Sequence, residues 1–368
     1  MTHINYLCID DQPKEVAGKL ELLGRASNRL RFDCVPPTKA IDDTVKEIES
    51  RKDISGLLID LRLDRVAGDE GRVQYNAPTI AQHIRSLMAQ KKLPALPIVL
   101  WTLPARKKTL YDPDRPSHDL FDEILDKDEL EGAERFAAGA NVLIDLAEGY
   151  QQLSADLTRA KKLSSLLEAP KPAIDPRADA AFAAEKMDGR SVSDAARFIL
   201  TDVVRREGLL VSADTLCARL GVHLEAFLGS KLESALMPFR YAGPFSRRQS
   251  LWWWKAVQNW WSTTFKEYPS VLSLEASLRV QLLQGKALIG AEAEAKRIKE
   301  AYSSRFTGVC EVLRRPLDPI DGYLLDFSQP RPWLDRQYVS QEVAHAPARF
   351  AFDKTRLDPL VQARLRSN

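Results

Sequence analysis

The chain has 368 residues, 45% hydrophobic and 28% charged, with 53 Lys and Arg against 51 Asp and Glu, a net charge of +2. At roughly 100–200 residues per domain this length predicts two or three domains, each burying its own core, and the composition excludes a disordered or collagen-like chain. Near-balanced charge excludes a surface built wholly for nucleic acid, and four scattered cysteines without a C-x-x-C pair argue against a disulfide scaffold or a cysteine zinc site.

From the start to about residue 130 strands and helices alternate. Ile4–Ile9 is a short apolar run closed by Asp10 and Asp11, and 13–28 has helical spacing through Val16, Leu20 and Leu23. Leu30–Val35 alternates like a strand and stops at Pro36-Pro37. Residues 39–51 return to helical spacing, with Ile41, Val45 and Ile48 on one face. Ile54–Ile59 is a buried-strand run ending at Asp60. A helix follows over 79–89, through Ile80, Ile84 and Leu87, and Pro97–Trp101 is a further apolar strand closed by Thr102. Phe121–Asp126 then leads into Lys127.

Apolar strands separated by amphipathic helices predict an α/β fold with a parallel sheet covered on both faces. Right-handed crossovers put every strand's C-terminal end on one edge, where such sheets bind ligands. Asp10, Asp11, Asp60, Thr102 and Lys127 are therefore expected to converge. Crowded carboxylates repel, and a divalent cation is the natural way to keep three of them ionised. Oxygen-only ligation suits Mg2+, and a hydroxyl and an ammonium beside it suit a transferred phosphoryl group.

These residues resemble the receiver domain of two-component response regulators. The matching pieces are Cys8-Ile9-Asp10-Asp11-Gln12, Leu58-Ile59-Asp60-Leu61-Arg62-Leu63, Ile98-Val99-Leu100-Trp101-Thr102 and Ile124-Leu125-Asp126-Lys127. The resemblance implies a flavodoxin-like doubly wound five-stranded sheet over residues 1–130, with Asp60 as phosphoacceptor. It also implies that Asp10, Asp11, Asp60 and the backbone carbonyl of Arg62 hold Mg2+, and that Thr102 and Lys127 contact the phosphoryl group. The donor would be a histidine kinase or phosphotransfer protein. Four features depart from the family: an enlarged polar loop over Asp64–Ala77, Leu103 where a small residue is usual, Ile124 in place of the switch aromatic, and Asp128 after the lysine. Seven acids within 119–131 make that corner negative.

Asp128 to about Leu167 reads as one long helix, with 131–168 as a connector whose polar continuation, Gln151–Lys162, reads as either an exposed stalk or a homodimer-forming helix. Three prolines in Pro170–Pro176 mark a linker over 169–179. A mainly helical output domain is expected over 180–305 and a small β-containing tail over 306–368. Ser193–Arg206 reads as a helix. Ala213–Leu232 has helix-turn-helix spacing, with a second helix over 223–232. Its exposed face offers only His223, Ser230 and Lys231, a poor surface for reading bases, so a packed hairpin competes with DNA binding.

Trp252, Trp253, Trp254, Trp260 and Trp261 fall within ten residues, and Arg247 and Arg248 precede them. Two readings compete: a core helix, or a docking face for an unknown downstream protein, with the arginines stacked on indoles. In the tail, turn residues at Asp318–Gly322 predict a hairpin between Val309–Leu313 and Tyr323–Phe327. No apolar run approaches the ~18–20 residues of a membrane span and no leader peptide is visible, so cytoplasm is the expected address. The leading expectation is a Mg2+-dependent phosphoacceptor controlling a protein-interaction output. A DNA-binding regulator and a phosphate-independent scaffold are the alternatives.

Overall fold

Strands Ile4–Ile9 (β1), Gly56–Asp60 (β3) and Ile98–Thr102 (β4) are buried almost end to end, as continuous apolar runs in a two-sided parallel sheet must be. The computed structural model describes residues 3–63, 73, 75–112, 115–160, 162–184, 191–326 and 331–367. With Leu30–Val35 (β2) and Glu123–Asp126 (β5), these strands form a five-stranded sheet ordered β2-β1-β3-β4-β5, every neighbour parallel. This is the doubly wound flavodoxin-like order, whose switch point lies between β1 and β3. The register sets Ile9 beside Ile59, Asp60 beside Trp101 and Thr102 beside Asp126, so the polar strand ends share one edge.

The first three helices bury the stripes that their spacing predicts. Pro13–Ala26 (α1) buries Val16, Leu20 and Leu23; Ile41–Ser50 (α2) buries Val45 and Ile48, and Ala77–Ala89 (α3) buries Ile80, Ile84 and Met88, while the expected Ile41 and Leu87 are only partly buried. Asn76 caps α3 by accepting the Thr79 N–H. Most of the enlarged loop expected over Asp64–Ala77 lies outside the described residues. A single turn, Pro104–Arg106 (α4), follows β4 and runs into a π-helical turn at Lys107–Tyr111.

Gly132–Asp156 (α5) is shorter than the expected helix to Leu167. The carbonyl of Asp156 accepts from both Arg159 and Ala160, closing a tight turn, and Leu163–Leu166 (α6) is a separate helix. Apolar spacing continues through Leu153 and Leu157 across this break, so periodicity carried no sign of it. Of the three prolines beyond, Pro170 and Pro172 precede Pro176–Ala184 (α7) and Pro176 opens it. Val192–Ile199 (α8) starts at Ser191, two residues before the expected cap, in a reciprocal capping box with Asp194.

Contacts divide the chain into two units. The first comprises Met1–Lys161, Glu185–Leu200 and Gly243–Arg248; the second comprises Lys162–Ala184, Thr201–Ala242 and Gln249–Asn368. In the first, α8 packs on α3 and α5.

The second unit is helical with small sheets. Leu210–Ser212 (β6) pairs antiparallel with Leu251–Trp253 (β7). Around this ribbon lie Ala213–Leu220 (α9), Leu224–Phe227 (α10), Lys231–Leu236 (α11), Trp254–Thr264 (α12) and Ala276–Gly285 (α13). The helix expected over 223–232 is therefore two short ones. Gly229 in the left-handed region ends the first turn, and Ser230 starts the next by capping the Glu233 N–H at 3.1 Å. A recognition helix of ordinary length is not formed there.

The tail also departs from expectation. Gly308–Val309 (β8) pairs with Pro316–Leu317 (β9), and Gly322–Leu324 (β10) pairs with Tyr338–Ser340 (β11), so among the described residues 309–313 and 323–326 are not hairpin partners, Phe327 of the expected strand lying outside them. Instead of joining a hairpin, Asp321 is buried and accepts the N–H groups of Tyr302 and Ser303 at 3.0 and 2.8 Å. Among the described residues no helix is long and apolar enough to cross a membrane.

Candidate functional site

At the C-terminal edge of the sheet, β1 delivers Asp10 and Asp11, β3 delivers Asp60, β4 delivers Thr102, and the chain leaving β5 delivers Lys127. The ammonium of Lys127 donates to Asp60 Oδ1 at 2.6 Å and to Asp10 Oδ2 at 2.8 Å. Ligand oxygens of Asp10, Asp11 and Asp60 all lie within 4.8 Å of one another, with Asp10 and Asp60 buried and Asp11 partly exposed. Acids fifty positions apart in sequence are thus one cluster. It carries three carboxylates against one ammonium.

Backbone donors finish the placement. The Gln12 N–H donates to Asp10 Oδ1 at 2.9 Å, and the Arg62 N–H donates to Asp60 Oδ2 at 3.2 Å. Arg62 is thereby tied to the phosphoacceptor candidate through its N–H. The Lys127 N–H donates to the Thr102 carbonyl at 2.7 Å, locking the ends of β4 and β5 together. Thr102 is fully buried, and among the described residues its hydroxyl makes only a long 3.4 Å contact to the Leu103 carbonyl.

Burial pushes the Asp60 carboxyl up to about 6, against the downward pull of the Lys127 ammonium. For Lys127 the balance runs the other way. Burial lowers its pKa, but Asp60 and Asp10 outweigh it and hold the ammonium above its ordinary range. Asp60 is only 1% exposed.

The donor set fits a hard cation: three carboxylates on one edge, no sulfur and no imidazole among them. Two contributors escaped sequence reasoning. Trp101 lies under the ammonium of Lys127, 5.5 Å from ring centre to Nζ, and Lys19 of α1 donates to the Lys127 carbonyl at 2.5 Å. Trp101 reads as an ordinary core residue of β4, and Lys19 as an ordinary polar residue between the buried positions of α1. Neither type nor spacing marks them.

The tryptophan cluster is elsewhere and is core. Trp252, Trp253, Trp254 and Trp261 are buried and Trp260 is half-buried, so the expected docking face is an interior. The first two sit on β7 rather than on the helix, where alternation sends them to opposite faces. Trp252 packs edge-on against Phe227, Trp253 against Tyr241, and the Trp261 Nε1 donates to the Tyr268 carbonyl at 2.9 Å. In the first unit the Arg247 N–H donates to Asp145 at 2.9 Å, its guanidinium pairs with Glu148, and Arg248 pairs with Glu123.

No family model matches the chain. No curated protein matches it either. Among solved structures it is similar to a response regulator receiver domain from Clostridium thermocellum, at 13% identity and a TM-score of 0.27, over 39% of this chain and 94% of that one. It is likewise similar to the signal receiver domain of the putative response regulator NarL from Mycobacterium tuberculosis, at 15% identity and a TM-score of 0.28, over 40% and 99%. RcsB from Salmonella enterica serovar Typhimurium, bound to a promoter with a phosphomimetic, matches at 16% identity and a TM-score of 0.28, over 55% and 89%. Scores this low leave the functional reading to the side chains of the pocket. By strand order and by the edge on which its acids meet, the first unit has the flavodoxin-like fold of receiver domains.

Proposed function

We propose that the protein is a response-regulator-like signalling protein whose first unit accepts a phosphoryl group on Asp60. The observation that carries this is the buried Lys127 ammonium bonded to both Asp60 and Asp10, with Asp11 in the same cluster and Thr102 at the adjacent strand end. Asp10, Asp11 and Asp60, with the Arg62 carbonyl, would hold Mg2+, which supplies charge neutralisation for the incoming phosphoryl group.

An Asp60 carboxylate oxygen attacks the phosphorus of a phosphohistidine on a histidine kinase or phosphotransfer protein. The new O–P bond forms as the P–N bond breaks, and the leaving imidazole keeps the electron pair and takes a proton from solvent. Lys127 then exchanges its Asp60 bond for a phosphoryl oxygen, and the Thr102 hydroxyl, weakly engaged beforehand, has a stronger acceptor to turn to.

The test is incubation with acetyl phosphate and Mg2+, read by intact mass. Wild type gains one phosphoryl group, whereas Asp60→Asn and EDTA-treated wild type gain none. An unmodified wild type, or an equally modified Asp60→Asn, overturns the reading.

One observation favours a second reading. Asp60 is 1% exposed and Lys127 already closes over it, which suits a phosphate-independent scaffold. That reading requires the unmodified wild-type result together with partner capture identical in Asp60→Asn. Output through contacts with another protein, possible homodimerisation and cytoplasmic residence belong to the same proposal. DNA binding is disfavoured by the broken helix at Gly229–Ser230.

A further inference from the structure

The second unit contains a cavity of about 300 Å³ between α9, the start of α12 and the 307–311 and 335–338 segments. Its size is that of a small-molecule site. Three carboxylates (Glu207, Glu311, Asp335) and three guanidiniums (Arg219, Arg314, Arg336) line it, so its formal charges cancel.

Most of these charges are already satisfied. Glu207 accepts from the Ser212 N–H at 3.0 Å and from the Ser212 and Thr215 hydroxyls at 2.7 and 2.9 Å. Asp335 pairs with Arg219 at 2.5 Å. Arg219 is buried, lies 4.6 Å over the Trp254 ring and donates through Nε to the Thr307 carbonyl at 2.8 Å.

Two atoms of the buried part of the lining are underused. Among the described residues Arg219 Nη1 makes no hydrogen bond. Among the same residues Glu311 receives long contacts on Oε2, from Gln337 at 3.4 Å and Arg314 at 3.5 Å, and none on Oε1. Burial pushes the Glu311 carboxyl up, with Arg314 pulling it down, as expected for a carboxylate short of donors.

We propose that this cavity binds a small, net-neutral molecule that donates an N–H to Glu311 Oε1 and accepts from Arg219 Nη1. The cancelled lining charge opposes polyanions and polycations, and the Trp254, Leu272 and Tyr338 side chains supply an apolar wall for the body of the ligand. Zwitterionic amino acids and uncharged nucleobases share this donor–acceptor chemistry.

Isothermal titration of the full chain separates the two sources. One arm uses the free amino acids with uncharged side chains. The other uses adenine and guanine, with AMP and putrescine as charged counterparts. The expected result is saturable heat from at least one member of the first two sets, weakened about tenfold or more in Glu311→Ala, the loss expected when a charge-assisted hydrogen bond is removed. Glu311→Gln, which keeps the side-chain volume, is held to the same tenfold if the alanine variant loses its near-UV circular dichroism. No heat from either set, equal binding of AMP or putrescine, or unchanged affinity in the folded Glu311 variant would overturn the proposal.

Discussion

Asp122, at the entry to β5, gives the sharpest stability test of the first unit. Its side chain is 4% exposed and accepts from Arg85 at 2.7 Å, from the Ile98 N–H at 2.8 Å and from the Tyr150 hydroxyl at 2.8 Å. Arg85 also donates to the Leu120 and Leu96 carbonyls and to Ser193, so α3, β4, β5, α5 and α8 meet on one ion pair. Burial works against the Arg85 cation, and Asp122 outweighs it, holding the guanidinium above its ordinary pKa. Asp122→Ala strands that cation among neutral acceptors and leaves the Ile98 N–H unpaired. Breaking a buried pair from one side costs about 3–5 kcal/mol, to which the orphaned backbone donor adds about 1 kcal/mol. A local readout assigns the loss to this strand, and native-state hydrogen exchange of the Ile98–Thr102 amides supplies it. The double variant Arg85→Met with Asp122→Leu, which strands no charge, should recover most of the loss. A single-variant cost below about 1 kcal/mol, or a double variant as costly as the sum of its singles, would refute the reasoning.

Three further outcomes follow from other sites. Burial raises the Asp145 carboxyl to about 6, so the folded state holds its proton more tightly than the unfolded chain and stability falls as pH rises from about 4 to about 6. Arg247 and Arg248 oppose that shift and Glu148 adds to it. Asp145→Asn, whose amide oxygen still accepts the Arg247 N–H, should flatten this part of the profile by up to about 3 kcal/mol, and parallel urea-stability curves for the two proteins would exclude it. A Cβ at Gly149 would lie 2.3 Å from the Phe245 ring. Gly149→Ala should therefore cost about 1–3 kcal/mol and loosen the 243–248 segment to limited proteolysis, whereas an unchanged cleavage pattern and melting temperature would speak against that packing. Trp261→Ala should destabilise the second unit by about 3–5 kcal/mol in denaturant titration. Full stability with loss of partner capture would instead restore the docking-face reading of the cluster.

The part of this protein that was legible from sequence is the part governed by period and by strand ends. β1, β3 and β4 announce themselves as apolar runs, and right-handed crossovers send the C-terminal ends of all the strands to one edge, so Asp10, Asp60, Thr102 and Lys127 meet without any knowledge of their contacts. The break after Asp156 was illegible because Leu153 and Leu157 keep helical spacing through it. The split at Gly229–Ser230 was present in residue types, since a glycine followed by a serine cap is a stop and a start, but the short helix-turn-helix spacing masked it.

The tryptophans fail for a deeper reason. Five indoles within ten residues carry the same pattern whether a partner or the chain's own core covers them, and only the β6–β7 pairing decides that Trp252 and Trp253 lie on a strand. Acidic clusters share that ambiguity. The seven acids of 119–131 read as a negative corner, yet Asp122 is the buried partner of Arg85, and Glu123 pairs with Arg248. Charge counted along the sequence measures composition, while function depends on which charges folding brings together. At Lys127 three carboxylates from two separate strand ends gather around one ammonium, a set that suits a divalent cation.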